Sequence, residues 1–479
     1  MSSNSVVSNF IWRFLERCGA QGVTLIVSIV LARLLNPEIY GTVALVTVFT
    51  TIMQIFVDSG MGNALIQKKD ADDLDFSSVF YFNMIMCSVL YLIMFFIAPF
   101  IASFYKIPEL TAVVRVLSLI LIISGVKNVQ QAYVSRHLMF KRFFFATLGG
   151  TIGAAIIGIL MAYFGFGVWA LVAQMLFNTT IDTLILWITV KWRPKKMFSI
   201  QRLKSLFSYG WKLLVSALID TVYNNVRQLI IGKVYTKSDL AYYNNGKKYP
   251  EYLVSNINTA IDSVLLPTMS NEQEHPERVK SMTRRAIKTA TFIIMPLMVG
   301  FAVCSKQLVS LILTDKWLPA VPFMQIFCIS FAFYPIHTAN LNAIKAMGRS
   351  DLFLKLEIIK KSIGVVTIII AVKFGVMAMA YSMLVTSFIS QVVNSWPNKK
   401  LLNYSYLEQV KDMLPQIVLS LLMGIIVYFV SFLHLNSLIT LLIQIPVGVI
   451  VYWLFSKLFH IESYEYIVGM LKNFRKKKV

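Results

Sequence analysis

Between residues 9 and 458 the chain is a succession of apolar stretches, about fourteen in all and each roughly 20 residues or longer, parted by short polar joints. One such stretch carries a helix across the ~30 Å hydrocarbon core of a bilayer, and a helix satisfies its own backbone hydrogen bonds there. The expectation is an all-α polytopic membrane protein whose spans leave no room for a soluble domain of ordinary size. Charge density agrees, since 14% of residues are charged and 57% hydrophobic, against about a quarter charged in soluble domains.

The spans fall at 9–35, 40–67, 76–104, 110–134, 143–164, 168–190, 206–234, 240–266, 286–303, 321–346, 352–372, 376–396, 413–432 and 438–458. No charged leader with a short apolar core and cleavage site precedes the first, so that span is expected to be retained. The formal net charge is +22. A nucleic-acid partner would need these cations on a soluble surface, whereas they sit in joints and tail. With the N-terminus in the cytoplasm, Lys and Arg concentrate in the cytoplasmic joints, including KWRPKKMFSIQRLK from Lys191 and SNEQEHPERVKSMTRR from Ser270. Both termini are therefore expected to face the cytoplasm.

The chain also repeats. ARLLNPEIYG from Ala32 returns as GKVYTKSDLAYY from Gly232, Trp12 and Arg13 return as Trp211 and Lys212, and FGVWA from Phe166 returns as FGVMA from Phe374. Each copy holds six crossings, so the copies share one orientation. The expected division is a first six-helix lobe at 1–190, a linker at 191–205, a second lobe at 206–398, and two extra helices with a basic cytoplasmic tail at 399–479. Gly149 and Gly153 form a GxxxG that allows close helix packing. Pro250, Pro296 and Pro335 are candidate kinks.

Signatures of catalysis are missing: no Walker A, HExxH or GxSxG occurs, and Cys18, Cys87, Cys304 and Cys328 have no metal-ligand spacing. No catalysis, cofactor or metal is expected. Charge inside the spans then carries the functional argument, because each charge at the bilayer centre costs about 2.5–3.5 kcal/mol on insertion scales. The cations are Arg13, Arg17, Lys127, Lys212, Arg227, Lys247 and Lys248, with Lys360 and Lys361 ranked lower as residues of a helix extended above the membrane. Arg13, Arg17 and Lys212 have snorkelling as a competing explanation. Asp220, Asn224, Arg227 and Gln228 share one helix face. Fewer acids lie in spans, chiefly Glu16, Asp58, Asp220 and Glu357, the first three being ion-coupling candidates. Lone His337 is assigned a structural hydrogen bond. An interior dominated by cations attracts an anion, and phosphate suits Lys and Arg.

ARLLNPEIYGTVAL, FVDSGMGNALIQKKD, SRHLMFKRF, FGFGVWALV, WRPKKMFS, LPTMSNEQ and AMGRSDLF, in that order and spacing, resemble the polysaccharide transporter family. These are the Wzx-type flippases of the multidrug/oligosaccharidyl-lipid/polysaccharide exporter superfamily. The resemblance implies two lobes around a cationic cavity. It implies alternating access that carries an undecaprenyl-pyrophosphate-linked oligosaccharide to the periplasmic leaflet, for O antigen, capsule or exopolysaccharide. Polysaccharide polymerase and chain-length machinery would be partners, and a coupling ion has a place in such a cycle. Gln228 stands where family members often carry an acid, which leaves the coupling mechanism open. Two alternatives stand beside this one. A cation-coupled exporter of drugs or metabolites would want a more acidic cavity, and a membrane polymerase or ligase would want a large periplasmic loop.

Overall fold

The structure is a computed structural model that describes residues 3–58, 61–68, 70–137 and 139–476; side chains are described except at 3–18, 58, 63, 67, 140–143, 209–210, 212–213, 260, 263 and 470–476. It divides into two compact units, Met1–Ala241 and Tyr242–Val479. The first holds α1 (Ser3–Leu34), α2 (Pro37–Asp58), α3 (Met61–Gln67), α4 (Asp73–Tyr105), α5 (Leu110–Leu117), α6 (Leu119–Arg136), α7 (Phe140–Tyr163), α8 (Val168–Thr189) and α9 (Ile200–Val234). Helix α10 (Lys237–Ser270) begins in the first unit and continues in the second. There it is followed by α11 (Pro276–Leu308), α12 (Val321–Ala332), α13 (Tyr334–Ala346), α14 (Ser350–Ala371), α15 (Val376–Leu401), α16 (Tyr406–Phe429), α17 (Ser437–Leu458) and α18 (Glu462–Lys476).

The fold is the expected all-α membrane architecture. Among the described residues, ten helical segments are long and apolar enough to cross a bilayer. Four expected spans drop out of that set, those at 9–35, 206–234, 240–266 and 352–372, although helices α1, α9, α10 and α14 occupy all four places. In α1 the apolar stretch with described side chains, Gly19–Leu34, is shorter than a crossing, and in α14 the reason is charge, with Asp351, Lys355, Glu357, Lys360 and Lys361 among its first twelve residues. Large apolar side chains elsewhere face outward, as at Phe100 and Ile188. On a soluble protein such patches would drive association, whereas against lipid they cost nothing.

In the first unit α1 lies along α7, α7 along α8, and α9 against α2, α3 and α4. The GxxxG serves the α7–α8 contact: a Cβ at Gly149 would lie 3.0 Å from Ile185, one at Gly150 would lie 2.9 Å from the Asn178 carbonyl oxygen, and one at Gly153 would lie 2.7 Å from Phe177. Helices α4 and α9, 33 and 35 residues long, each reach about 50 Å and meet at both ends. At one end Asp75 of α4 receives Arg202 at 3.3 Å, and the Ser199 backbone N–H donates to Ser78 at 2.9 Å. At the other end the Tyr105 hydroxyl donates to the Leu229 carbonyl at 3.4 Å, and Lys233 donates to the Phe104 carbonyl while lying over its ring.

The repeat is visible in the backbone. Helix α1 breaks at Leu35–Asn36 before α2, and α9 breaks at Tyr235–Thr236 before α10, two hundred residues later in the same pattern. Each break is closed alike, by Leu35 N–H on Leu31 and by Tyr235 N–H on Ile231. The two turns pack together. A Cβ on Gly41 would overlap the Lys237 carbonyl, and one on Gly232 would stand 3.0 Å from Leu45 Cγ. The FG pairs of the second repeat mark equivalent starts too, with Gly167 (φ +56°) and Gly375 (φ +104°) preceding α8 and α15 in backbone regions that side chains disfavour.

In the second unit α11 packs against α12, α13, α16 and α17, around a core that includes Ile287, Ile336, Ala343, Tyr404 and Met413. Pro335 stands at the start of α13, just after the chain bends at Phe333, so the expected span at 321–346 is two helices. Pro250 and Pro296 lie inside continuous α10 and α11. Cys87, Cys304 and Cys328 are buried packing residues.

Candidate functional site

Helix α10 is anchored in the second unit at two places. Near its start Tyr242 meets Trp317 and Tyr243 meets Phe327 edge-on, with ring centroids 6.1 and 5.1 Å apart, and a Cβ on Gly246 would sit 2.6 Å from Phe323. Further along, the Asn342 amide donates to Asp262 at 2.9 Å. Between the anchors, Asn244, Lys248, Tyr252, Ser255 and Thr259 recur at three- and four-residue spacing and so share one face of the helix. Lys247 reaches Glu251 one turn on, at 3.8 Å. Lys248 is different. Its ammonium stands 5.8 Å from the ring centroids of both Tyr249 and Tyr252, and among the described residues no carboxylate comes within ion-pair range of it.

Two of the remaining sequence-selected cations are paired with carboxylates. Lys127 on α6 pairs with Asp182 on α8 at 2.9 Å, both largely buried. Lys360 pairs with Glu357 at 2.5 Å. Arg227 is buried, and Asp220, Arg227, Gln228 and Lys361 each have a partner within the protein. His337 shares a 3.3 Å hydrogen bond with Asn394 of α15, the structural role expected of it. The side chains of Arg13, Glu16, Arg17, Asp58 and Lys212 lie outside the described residues. Fixed pairs of this kind cost desolvation and return it as mutual attraction, so they leave little positive potential for a ligand. Lys248 instead stands against two aromatic ring faces, a setting that favours a cation.

Two polar centres escaped the sequence reading. Asp75 is fully buried and receives Lys68 at 2.6 Å and Arg202 at 3.3 Å, while Asp72 and Asp75 close a reciprocal capping box at the start of α4. The Asp75 backbone N–H, and after it the Arg202 charge, hold the Asp72 carboxyl below the usual carboxylate range. Trp192 and Lys195 both reach Asp73, at 3.1 and 2.5 Å, so the joint between α8 and α9 is pinned to the start of α4. In the second unit Asp412 collects Arg284 at 2.6 Å, Lys288 at 3.4 Å and the Tyr404 hydroxyl at 2.8 Å. Attention to acids within spans passed these by, because both stand at helix starts. The run DADDLD beside a basic joint was the available signal for Asp75. A third feature, the buried carboxamide cluster of Asn340, Asn398 and Gln409, ties α13, α15 and α16 through bonds of 2.7–3.0 Å.

Residues 30–322 match the family model described as "Polysaccharide biosynthesis protein". The chain is 23% identical over 393 residues to the teichuronic acid biosynthesis protein TuaB of Bacillus subtilis, covering 80% of each. It is 21% identical over 419 residues to the lipopolysaccharide biosynthesis protein WzxC of Escherichia coli, covering 85% of each. Against the succinoglycan biosynthesis transport protein ExoT of Rhizobium meliloti it is 21% identical over 350 residues, 73% of this chain and 71% of that one. In fold it resembles the inward closed conformation of the lipid II flippase MurJ, with TM-score 0.76, 16% identity, and coverage of 96% of this chain and 99% of that one. An inward-facing multidrug resistance MATE transporter aligns with TM-score 0.64 and 16% identity, over 80% of this chain and 94% of the other.

Proposed function

Because the chain belongs to the polysaccharide biosynthesis protein family, we propose that it is a flippase. It carries a polyprenyl-pyrophosphate-linked oligosaccharide from the cytoplasmic to the periplasmic leaflet of the bacterial inner membrane by alternating access. It is a transporter and not an enzyme. The observation that supports this most is Lys248 of α10, which has no described carboxylate within ion-pair range and stands against two tyrosine rings. Pyrophosphate is the strongly anionic part of such a substrate, and charge-assisted hydrogen bonds to it are stronger than neutral ones. The relatives are named for three different polymers, which favours recognition of a lipid-pyrophosphate anchor common to many glycans over recognition of one sugar.

In this scheme Lys248 grips the pyrophosphate, and Lys247, whose 3.8 Å contact to Glu251 is loose, adds a second donor. Arg13, Arg17, Lys212 and Arg227 extend the basic lining, and Lys127, already held by Asp182, contributes least. Asn244, Tyr252 and Thr259 on the same face of α10 hydrate the sugars. The functional lobes are 1–190 and 206–398, joined by the linker at 191–205, with both termini in the cytoplasm. In this scheme the contact between the Gly41 and Gly232 turns serves as the periplasmic gate, and its opening releases the product to polymerase and chain-length machinery. Glu16, Asp58 and Asp220 are the candidates to couple an ion to that opening.

The test is surface polysaccharide in a strain that lacks its own flippase. Losing one charge-assisted contact of ~1.5–3 kcal/mol lowers transport by about ten- to a hundredfold in Lys248→Ala, with Lys248→Arg falling less. Wild-type polysaccharide in Lys248→Ala at normal protein level refutes the assignment.

A further inference from the structure

A second polar site lies away from α10, where the apolar lengths of two spans run out. The apolar length of α17 ends at Leu458, the chain turns through His460 at φ +46°, and α18 doubles back onto α11. Between α11 and α18 is a cavity of about 230 Å³ lined by Arg285, Lys288, Thr289, Glu462, Ser463, Glu465 and Tyr466. Large apolar side chains at the end of α17, just before α18, are exposed, among them Trp453, Leu458 and Phe459, and Lys457 lies over the Trp453 ring at 5.7 Å. Aromatic and basic residues at the end of a span mark the headgroup layer of a bilayer. The cavity therefore opens among lipid headgroups, and lipid is the molecule present there at high concentration.

The charges in the cavity select among headgroups. Lys288 is already engaged by Glu462 at 2.5 Å and Asp412 at 3.4 Å. Arg285 is exposed, lies over the Tyr466 ring at 5.1 Å, and has no carboxylate within ion-pair range among the described residues. Its five donors suit a phosphodiester. Glu465 faces the same space, loosely shared with His460 at 3.5 Å. An anionic headgroup would satisfy Arg285 and meet repulsion from Glu462 and Glu465. A headgroup with a phosphate and a primary ammonium satisfies both signs at once.

We propose that the α11–α18 cavity is a binding site for a zwitterionic aminophospholipid of the surrounding bilayer, its phosphate on Arg285 and its ammonium on Glu465. The site is separate from the α10 face and does not depend on what the protein transports. The experiment is native mass spectrometry of the full chain in mild detergent, titrated with phosphatidylethanolamine, phosphatidylglycerol or phosphatidylcholine of the same acyl chains. The wild type retains phosphatidylethanolamine about tenfold better than phosphatidylglycerol, because its ammonium adds a charge-assisted hydrogen bond to Glu465 and relieves the repulsion an anionic headgroup would meet. Phosphatidylcholine, whose ammonium has no N–H to donate, also binds less well than phosphatidylethanolamine. Arg285→Ala abolishes the adduct and Arg285→Lys keeps part of it. Glu465→Gln removes the preference for phosphatidylethanolamine while leaving total binding. Both positions are exposed, so folding is not at stake. Equal binding of the three lipids by the wild type, or an undiminished phosphatidylethanolamine adduct in Arg285→Ala, overturns the proposal.

Discussion

Gly41→Ala tests the proposed alternation through a single methyl group. A Cβ at this position lies 2.6 Å from the carbonyl carbon and 3.0 Å from the Cα of Lys237, both backbone atoms of the first turn of α10, so no side-chain rotation relieves the overlap. Overpacking of this kind costs about 1–3 kcal/mol. The overlap exists only while the two turns meet, so the cost falls on the closed state alone. The ~1 kcal/mol by which Ala outdoes Gly inside a helix applies to both states and cancels. The equilibrium therefore moves toward the open periplasmic end by about 5- to 150-fold. The assay is the labelling rate of a Ser255→Cys variant by a membrane-impermeant maleimide added outside spheroplasts, with Cys18, Cys87, Cys304 and Cys328 replaced by Ala. The control is Gly22→Ala, where a Cβ meets nothing within 4 Å. Gly41→Ala raises the rate at least ~5-fold and the control leaves it unchanged; equal rates in the two variants would refute a closing role for the contact.

The Lys127–Asp182 pair separates a structural role from a substrate role. Lys127→Met strands a buried carboxylate at a cost of about 3–5 kcal/mol, seen as a lower melting temperature, and adding Asp182→Leu restores stability and polysaccharide export together. Restored stability without restored export would instead put Lys127 in contact with substrate. At the other unit's polar centre, burial first and then the hydrogen bond to Asp412 push the Tyr404 hydroxyl well above its ordinary pKa. A raised folded-state pKa gives stability that is complete below the unfolded value of about 10 and is lost as pH rises beyond it. The wild type thus loses melting temperature above about pH 10, and Tyr404→Phe, about 1–2 kcal/mol less stable at neutral pH, shows a smaller alkaline loss. Parallel alkaline slopes in the two proteins would contradict this account.

Much of the architecture was legible because its causes are local. Ten of the expected spans meet a length and apolarity criterion that needs no neighbour, and the breaks at Asn36 and Thr236 lie where the two copies of the repeat align. Gly167 and Gly375 could be matched for the same reason, since a left-handed residue before a helix is a backbone requirement carried by one position. Lys248 was legible as a misplaced charge, because a cation inside an apolar run is anomalous whatever surrounds it.

What the sequence could not decide is which charges the protein neutralises for itself. Lys127 and Asp182 are 55 positions apart, Arg202 and Asp75 are 127, and Arg284 and Asp412 are 128. Whether such residues meet depends on how each helix is rotated about its axis and on which helix lies beside it, and side-chain packing over whole helices sets both. Lys127 and Lys248 are both cations of expected spans; one faces a carboxylate on the adjacent helix and the other two tyrosine rings. In the same way the sequence pairs α9 with α1 as copies of one element, and only the folded chain shows α9 lying against α2, α3 and α4 while α1 lies along α7. Local propensity determined the helices and their ends, and long-range packing decided which charges in the spans meet a carboxylate on a neighbouring helix.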